Sequence, residues 1–201
     1  GRESGEDPYY QHLYRVNLDG SGLTLLNPGD FDHRVTMGES SRFFVESYSR
    51  VNTTPASALF SASGEKILDL ETADFSALTE AGYQFPELFK AEADDGVTDM
   101  YGVMYKPYDF DPSKKYPVLE DMYAGPHESY VPKQFSSGRR YSSWTEMGFV
   151  VVKIDGMGTT NRSKAFHDVC WKNLRDAGLP DRILWHKAVA EKHSWYDISR
   201  V

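Results

Sequence analysis

Only one cysteine, Cys170, occurs in the sequence, so no intrachain disulfide can form and the fold must rest on packing alone. Its neighbours Val169 and Trp171 make it a buried, inert thiol and not a reactive one. Basic stretches are equally scarce. Lys and Arg number 22 against 30 Asp and Glu, a net charge of -8 with no basic stripe, which excludes a nucleic-acid footprint and disfavours an anionic partner surface. No run is both long and apolar enough to cross a bilayer. The opening Gly1-Arg2-Glu3-Ser4-Gly5 has neither the basic nor the apolar part of a targeting segment; it reads as the middle of a loop, with any targeting segment expected upstream. His-X-X-X-His and Cys-X-X-Cys pairs are absent, and so is the Gly-X-Ser-X-Gly of a nucleophile elbow.

What is present is apolar material for a core: 40% of the 201 residues are hydrophobic and 14% aromatic, enough for one large domain or two small ones. The first part reads as short strands joined by turns. Residues 12–18 alternate, Asp19-Gly20-Ser21-Gly22 turns, and residues 23–26 return as a hairpin partner. Residues 42–49, 57–61 and 65–70 read as further strands, of the even spacing found in propeller blades or sandwiches and too few to close a propeller. After Leu70 the pattern changes. Residues 74–82 predict a short capped helix ending on glycine, and the domain boundary is placed there.

The second part reads as α/β. Residues 87–92 and 98–107 flank the turn Asp94-Asp95-Gly96 as an antiparallel pair, and residues 116–123 form a strand running into Ala124-Gly125-Pro126. A helix is expected around 141–147, stopped by Gly148. Residues 149–155 follow as an almost continuous apolar strand covered on both faces. A last helix spans about 180–193, with Pro180 and Asp181 in its first turn and Lys187, Lys192 and His193 toward its end. Alternation of this kind implies a mainly parallel sheet with helices on its faces. At Asp197-Ile198-Ser199-Arg200-Val201 a helix has ended and a buried strand is expected next.

Chemistry has few candidates. Tyr123 stands at the carboxyl end of a strand, where α/β sheets place ligands, and a phenol there can donate to an oxyanion; a tyrosine packed at a strand end is the other reading. His167-Asp168 with His186 and His193 could be taken for metal ligands, yet the two helical histidines are seven residues apart, roughly 10 Å along the axis, which is too far for one ion. His127 could line a cleft or be a solvated loop residue. Asp155-Gly156-Met157-Gly158 lacks the rest of a phosphate loop and reads as a turn. Arg162 and Lys164 read as ordering a loop over the sheet edge.

Several of these words occur together in one family. Lys115-Tyr116-Pro117-Val118-Leu119 running into Tyr123-Ala124-Gly125-Pro126, then Phe149-Val150-Val151-Val152, Ile154-Asp155-Gly156-Met157-Gly158-Thr159, Asn161 to Asp168 and Asp197 to Val201, resemble the start of the catalytic domain of the prolyl oligopeptidase and dipeptidyl peptidase IV family, in its bacterial dipeptidyl peptidase IV-like branch. The resemblance implies an α/β fold: residues 76–201 as the N-terminal part of an α/β-hydrolase domain, cut before the nucleophile elbow, and residues 1–75 as the terminal strands of a β-propeller. It implies a serine exopeptidase that releases N-terminal dipeptides, often after proline, with Tyr123 as the side-chain half of the oxyanion hole. It further implies a peptide substrate, no cofactor, no metal, a homodimer in the intact parent and a periplasmic or extracytoplasmic location. The family's serine, aspartate and histidine, and the glutamates that hold a free substrate N-terminus, have no counterparts in these residues, so the chain alone is expected to be inactive. The alternatives are a noncatalytic peptide- or protein-binding module and another α/β-hydrolase, an esterase or acylaminoacyl peptidase.

Overall fold

Alternating side chains are what the first part of the chain offers a sheet with one buried face, and the strands form where that alternation is found. The computed structural model describes residues 1–136 and 139–201. These fall into two compact units: Gly1–Ala77 with Lys133–Phe135, and Leu78–Pro132 with Ser136–Val201.

In the first unit, β1 (Tyr14–Arg15) pairs antiparallel with β2 (Thr24–Leu25). The hairpin is shorter than the alternation predicts because Asn17 turns back early, donating to the Ser21 carbonyl and accepting from the Gly20 amide, both at 2.9 Å. Gly20 and Gly22 supply the positive φ values of this loop, 85° and 66°. Four strands then run as an antiparallel meander in chain order: β3 (Asp32–Met37), β4 (Phe43–Ser49), β5 (Ala56–Ser61) and β6 (Lys66–Thr72). On β4 the alternation is clear, with Phe44 and Glu46 buried and Phe43 and Val45 exposed. β6 is an edge strand exposed along its whole length, Ile67, Leu68 and Leu70 included.

The short helix α1 (Ser76–Glu80), across which the division into units falls, is opened by the Asp74 carboxylate accepting from the Ser76 amide and closed at Gly82, whose φ is 94°. The second unit's sheet contains β7 (Glu87–Glu92), β8 (Asp99–Tyr105), β9 (Val118–Glu120) and β10 (Val150–Ile154), in the order β7-β8-β10-β9. A mainly parallel sheet is not what forms. β8 runs antiparallel to both β7 and β10, and only β9 and β10 are parallel. The tight Asp94-Asp95-Gly96 turn reverses the chain between β7 and β8, and β8 then occupies the side of β10 that a further parallel strand would have needed.

Around this sheet lie α2 (Arg139–Thr145), α3 (Lys164–Asp168), α4 (Leu179–Lys192) and a closing 3-10 turn at Ile198–Arg200, capped by Asp197. β10 is buried on both faces, as its apolar run requires. Its Val150, Val152 and Ile154 pack with Met100, Met104, Trp185 and Val189 in the core. Each such side chain contributes on the order of 1.5–3 kcal/mol by leaving water. Pro180 and Asp181 open α4 as its sequence predicts, after Gly178 with φ 77°. No helix among the described residues is long and apolar enough to cross a membrane.

Candidate active site

A parallel strand pair leaves its carboxyl ends open on one side, and β9 and β10 end together there. The ladder continues one residue past β9, the Asp121 amide donating to the Val152 carbonyl at 2.9 Å. Asp121 is then fixed through its side chain. Its Oδ2 accepts from Lys153 Nζ and from the Tyr141 hydroxyl, each at 2.9 Å, and its Oδ1 from Arg140 Nη2 at 3.3 Å. Burial pushes the Asp121 carboxyl up, but Lys153, Tyr141 and Arg140 outweigh it and hold the group below its ordinary value. The same contact, after burial, lifts the Tyr141 phenol to about 12.

Two residues further on, Tyr123 is 62% exposed. Its ring lies 4.6 Å from that of Tyr130, centroid to centroid. Tyr130 is itself held from beneath: its amide donates to Asp155 Oδ1 at 2.7 Å and the Val131 amide donates to Asp155 Oδ2 at 2.9 Å. Asp155 follows β10 directly and is fully buried. Further ties fasten the loop, the Thr160 amide to the Glu128 carbonyl at 3.3 Å and Asn161 Nδ2 to Ser129 Oγ at 2.9 Å. Tyr123 therefore lies beyond the carboxyl end of the parallel pair, exposed and against the Tyr130 ring, on a loop tied at Asp121 to β10 and at Tyr130 and Val131 to Asp155.

The turn after β10 is shaped by close packing. A β-carbon on Gly156 would lie 3.0 Å from the Gly178 backbone, and the Met157 amide donates to Asp181 Oδ2 at 3.0 Å while Asp94 donates to Oδ1. Gly156 serves this approach of loop to helix, while Gly158, with φ 99°, packs where a β-carbon would lie 3.1 Å from that of Cys170. Arg162 orders its loop onto the sheet, Nη1 donating to the Asp99 carbonyl at 3.0 Å, whereas Lys164 pairs with Asp168 at the surface.

The histidines do not converge. His127 is exposed, His167 Nε2 contacts the Pro126 carbonyl at 3.1 Å, His186 lies between Glu120 and Tyr196, and His193 lies beside Glu87 and Phe89. Among the described residues no three metal-ligating groups come together. A groove of about 990 Å³ opens beside Pro126, lined also by His167, Cys170, Trp171 and Leu174; its lining begins three residues past Tyr123. Cys170 is buried.

The residues a reading of the sequence overlooks here are Glu120, Asp121 and Asp155. A pair of acids ending an apolar strand is a signal of their kind, since two charges in that position need partners, but the partners lie on β10, α2 and α4 and no local pattern points to them.

Residues 134–201 match the model of the prolyl oligopeptidase family. Human dipeptidyl peptidase 8 is 29% identical over 98% of this chain and 23% of its own length, and the probable dipeptidyl-aminopeptidase B of Emericella nidulans is 32% identical over 98% of this chain and 22% of its own. Among solved structures, a putative dipeptidyl aminopeptidase IV from Bacteroides ovatus superposes with a TM-score of 0.76 at 26% identity, covering 93% of this chain and 27% of that one. Porphyromonas gingivalis dipeptidyl peptidase 4 gives 0.76 at 25%, covering 98% and 28%. The chain thus spans less than a third of the length of these relatives. With the family's own model matching its last third and nearly its whole length aligned to dipeptidyl peptidases, the chain belongs to the prolyl oligopeptidase family.

Proposed function

We propose that this chain is part of a serine exopeptidase that releases N-terminal dipeptides, often after proline, by acyl transfer, and that Tyr123 donates one of the hydrogen bonds to the oxyanion. In this reading the first unit supplies the terminal strands of a β-propeller and the second the opening of an α/β-hydrolase domain. The serine, its histidine and aspartate, and the groups that hold the substrate's free amine come from other parts of the parent. The observation that carries the reading is the placement of Tyr123: exposed, beyond the carboxyl end of a parallel strand, on a loop anchored at both legs. Such a donor must sit about 3 Å from the developing charge, and it acts only in the transition state.

The test is Tyr123→Phe in the intact parent. Turnover of a proline dipeptide anilide falls by one to three orders of magnitude, roughly the effect of one oxyanion donor, with a smaller change in KM. Unchanged turnover removes Tyr123 from the mechanism. Assaying an ester and an N-acylated peptide beside the dipeptide anilide separates the exopeptidase from an esterase or acylaminoacyl peptidase, and silence toward all three favours a noncatalytic binder. The 201-residue chain by itself hydrolyses none of them. The same reading makes the parent a homodimer outside the cytoplasm, which sedimentation and cell fractionation check.

A further inference from the structure

We infer that Glu120 is a positioning residue for Tyr123, gripped by Arg182 and His186 of α4; the inference rests on the reading of Tyr123 as an oxyanion donor. β9 is three residues long, and among the described residues it is bonded to β10 alone. Its ladder to β10 joins Val118 with Val150, Leu119 with Val151 and Glu120 with Val152, and the Asp121 amide on the Val152 carbonyl is the last bond of this short run. Side chains add what the ladder lacks.

Glu120 Oε1 accepts from Arg182 Nη1, and Glu120 Oε2 lies 3.1 Å from His186 Nε2. His186 Nδ1 is 2.6 Å from the Tyr196 hydroxyl, so an Nε2–H directed at Glu120 leaves Nδ1 to accept from Tyr196. Arg182, His186 and Tyr196 are all buried. The same stretch of chain holds the other end of β9: the Tyr116 amide donates to the Trp195 carbonyl at 2.9 Å, and the Asp197 amide to the Tyr116 carbonyl at 3.1 Å. One strand is thus stapled at its start by backbone and at its end by a charged side-chain network. Asp121, pointing to the opposite face as the next residue of an extended chain must, is taken by Lys153 and Tyr141.

Beyond these two carboxylates the loop is open, with Met122 and Tyr123 exposed. Three residues of chain reach at most about 10 Å, so a tilt at Glu120 is passed on to the phenol. Displacement of a catalytic donor by 1 Å costs roughly a hundredfold in rate. Arg182 also keeps Nε and Nη2 buried without a partner among the described residues. A guanidinium held at that cost to one carboxylate fits a requirement for geometry better than one for stability, because buried ion pairs replaced by apolar groups often leave proteins no less stable.

The experiment is a double-mutant cycle in the intact parent: kcat and KM for Glu120→Gln, Tyr123→Phe and the pair. Glu120→Gln is expected to lower kcat roughly ten- to hundredfold with KM nearly constant, and to cause no further loss when Tyr123 is already Phe. Equal losses in both backgrounds, or an unchanged kcat in Glu120→Gln, overturn the inference. If Tyr123→Phe slows the enzyme while the Glu120 effect is additive, only the positioning role falls; if Tyr123→Phe is silent, the oxyanion reading falls and takes the positioning role with it. Should Glu120→Gln fail to fold, Tyr196→Phe, which removes only the hydroxyl from His186, is run through the same cycle, with a smaller loss expected that again disappears in the Tyr123→Phe background and an additive loss overturning the inference.

Discussion

The imidazole of His33 meets the carboxylate of Glu46 inside the first unit's sheet, β3 against β4, with both residues buried. His33 Nδ1 faces Glu46 Oε1 and its Nε2 lies 2.9 Å from the Gly29 carbonyl, so both ring nitrogens face acceptors, an arrangement that favours the imidazolium. Asn27 Nδ2 donates to the same carboxylate at 2.8 Å, and the His12 ring, itself paired with Glu6, lies 4.6 Å from that of His33. Lys66 lines the cavity beside the pair. Burial opposes the charge on His33, but Glu46, the Gly29 carbonyl and Asp32 outweigh it and raise the group above its ordinary 6.5.

A pH dependence with a definite sign follows from that pair. A histidine whose folded pKa is raised adds stability that is complete below the unfolded value of 6.5 and is lost as the pH climbs through the folded one. The His33 ring followed by NMR is expected to titrate above 6.5, and the Leu13 amide, which donates to the Asn27 side chain held by Glu46, to be better protected at pH 6 than at pH 8.5 once intrinsic exchange is subtracted. Glu46→Gln should bring the titration down and destabilise the unit by about 3–5 kcal/mol, since it leaves half of a buried pair behind. A His33 that titrates below 6.5 contradicts the charged ring.

In the second unit the tightest constraint is steric. A β-carbon on Gly102 would stand 2.5 Å from Cζ2 of Trp185, a fully buried ring whose Nε1 donates to the Phe89 carbonyl at 3.3 Å. Gly102 sits on β8 opposite Phe89 and Ile154, with sheet on both sides, so the strand cannot withdraw. Gly102→Ala is expected to destabilise the unit by roughly 1–3 kcal/mol through overpacking, and Gly102→Val by more. Urea unfolding followed by tryptophan fluorescence measures it, and an unshifted midpoint for the alanine variant would mean that Trp185 has room to move.

The fold's legible parts are those where one element satisfies itself. The apolar run at Phe149–Ile154 can only be a strand covered twice, and β10 is that strand. Pro180, Asp181 and Lys192 mark the ends of α4, which its backbone confirms within a residue or two. β3 escapes notice because its one buried side chain is His33, whose burial depends on a glutamate thirteen residues away. α3 is five residues long and capped by Ser163, too short for a helical period to register. Strand direction is not legible in the same way: alternation says how a strand is faced but not which neighbour it takes, and β8 pairs antiparallel with β10 across about fifty residues of chain. At the candidate site Tyr123 is conspicuous from its place at a strand end, whereas Asp121 and Asp155 read as ordinary end-of-strand acids until their partners are seen.

Asp155 supports the most local of the expectations. It is wholly buried, and both carboxylate oxygens accept backbone amides, those of Tyr130 and Val131, from the returning leg of the Tyr123 loop. Hydrogen bonds to a charged acceptor contribute about 1.5–3 kcal/mol each, and an amide orphaned in the interior costs about 1–3 kcal/mol. Asp155→Asn keeps one carbonyl acceptor and so should release one of the two amides, while Asp155→Ala releases both. Hydrogen exchange at Tyr130 and Val131 is expected to accelerate in that order, with the amides of β10 slowed as in the wild type because their ladders to β8 and β9 are untouched. Since the Tyr130 ring carries that of Tyr123, the alanine variant of the intact parent should also lose turnover, and full activity with a loosened Tyr130 would show that the phenol is held from the Glu120 side alone.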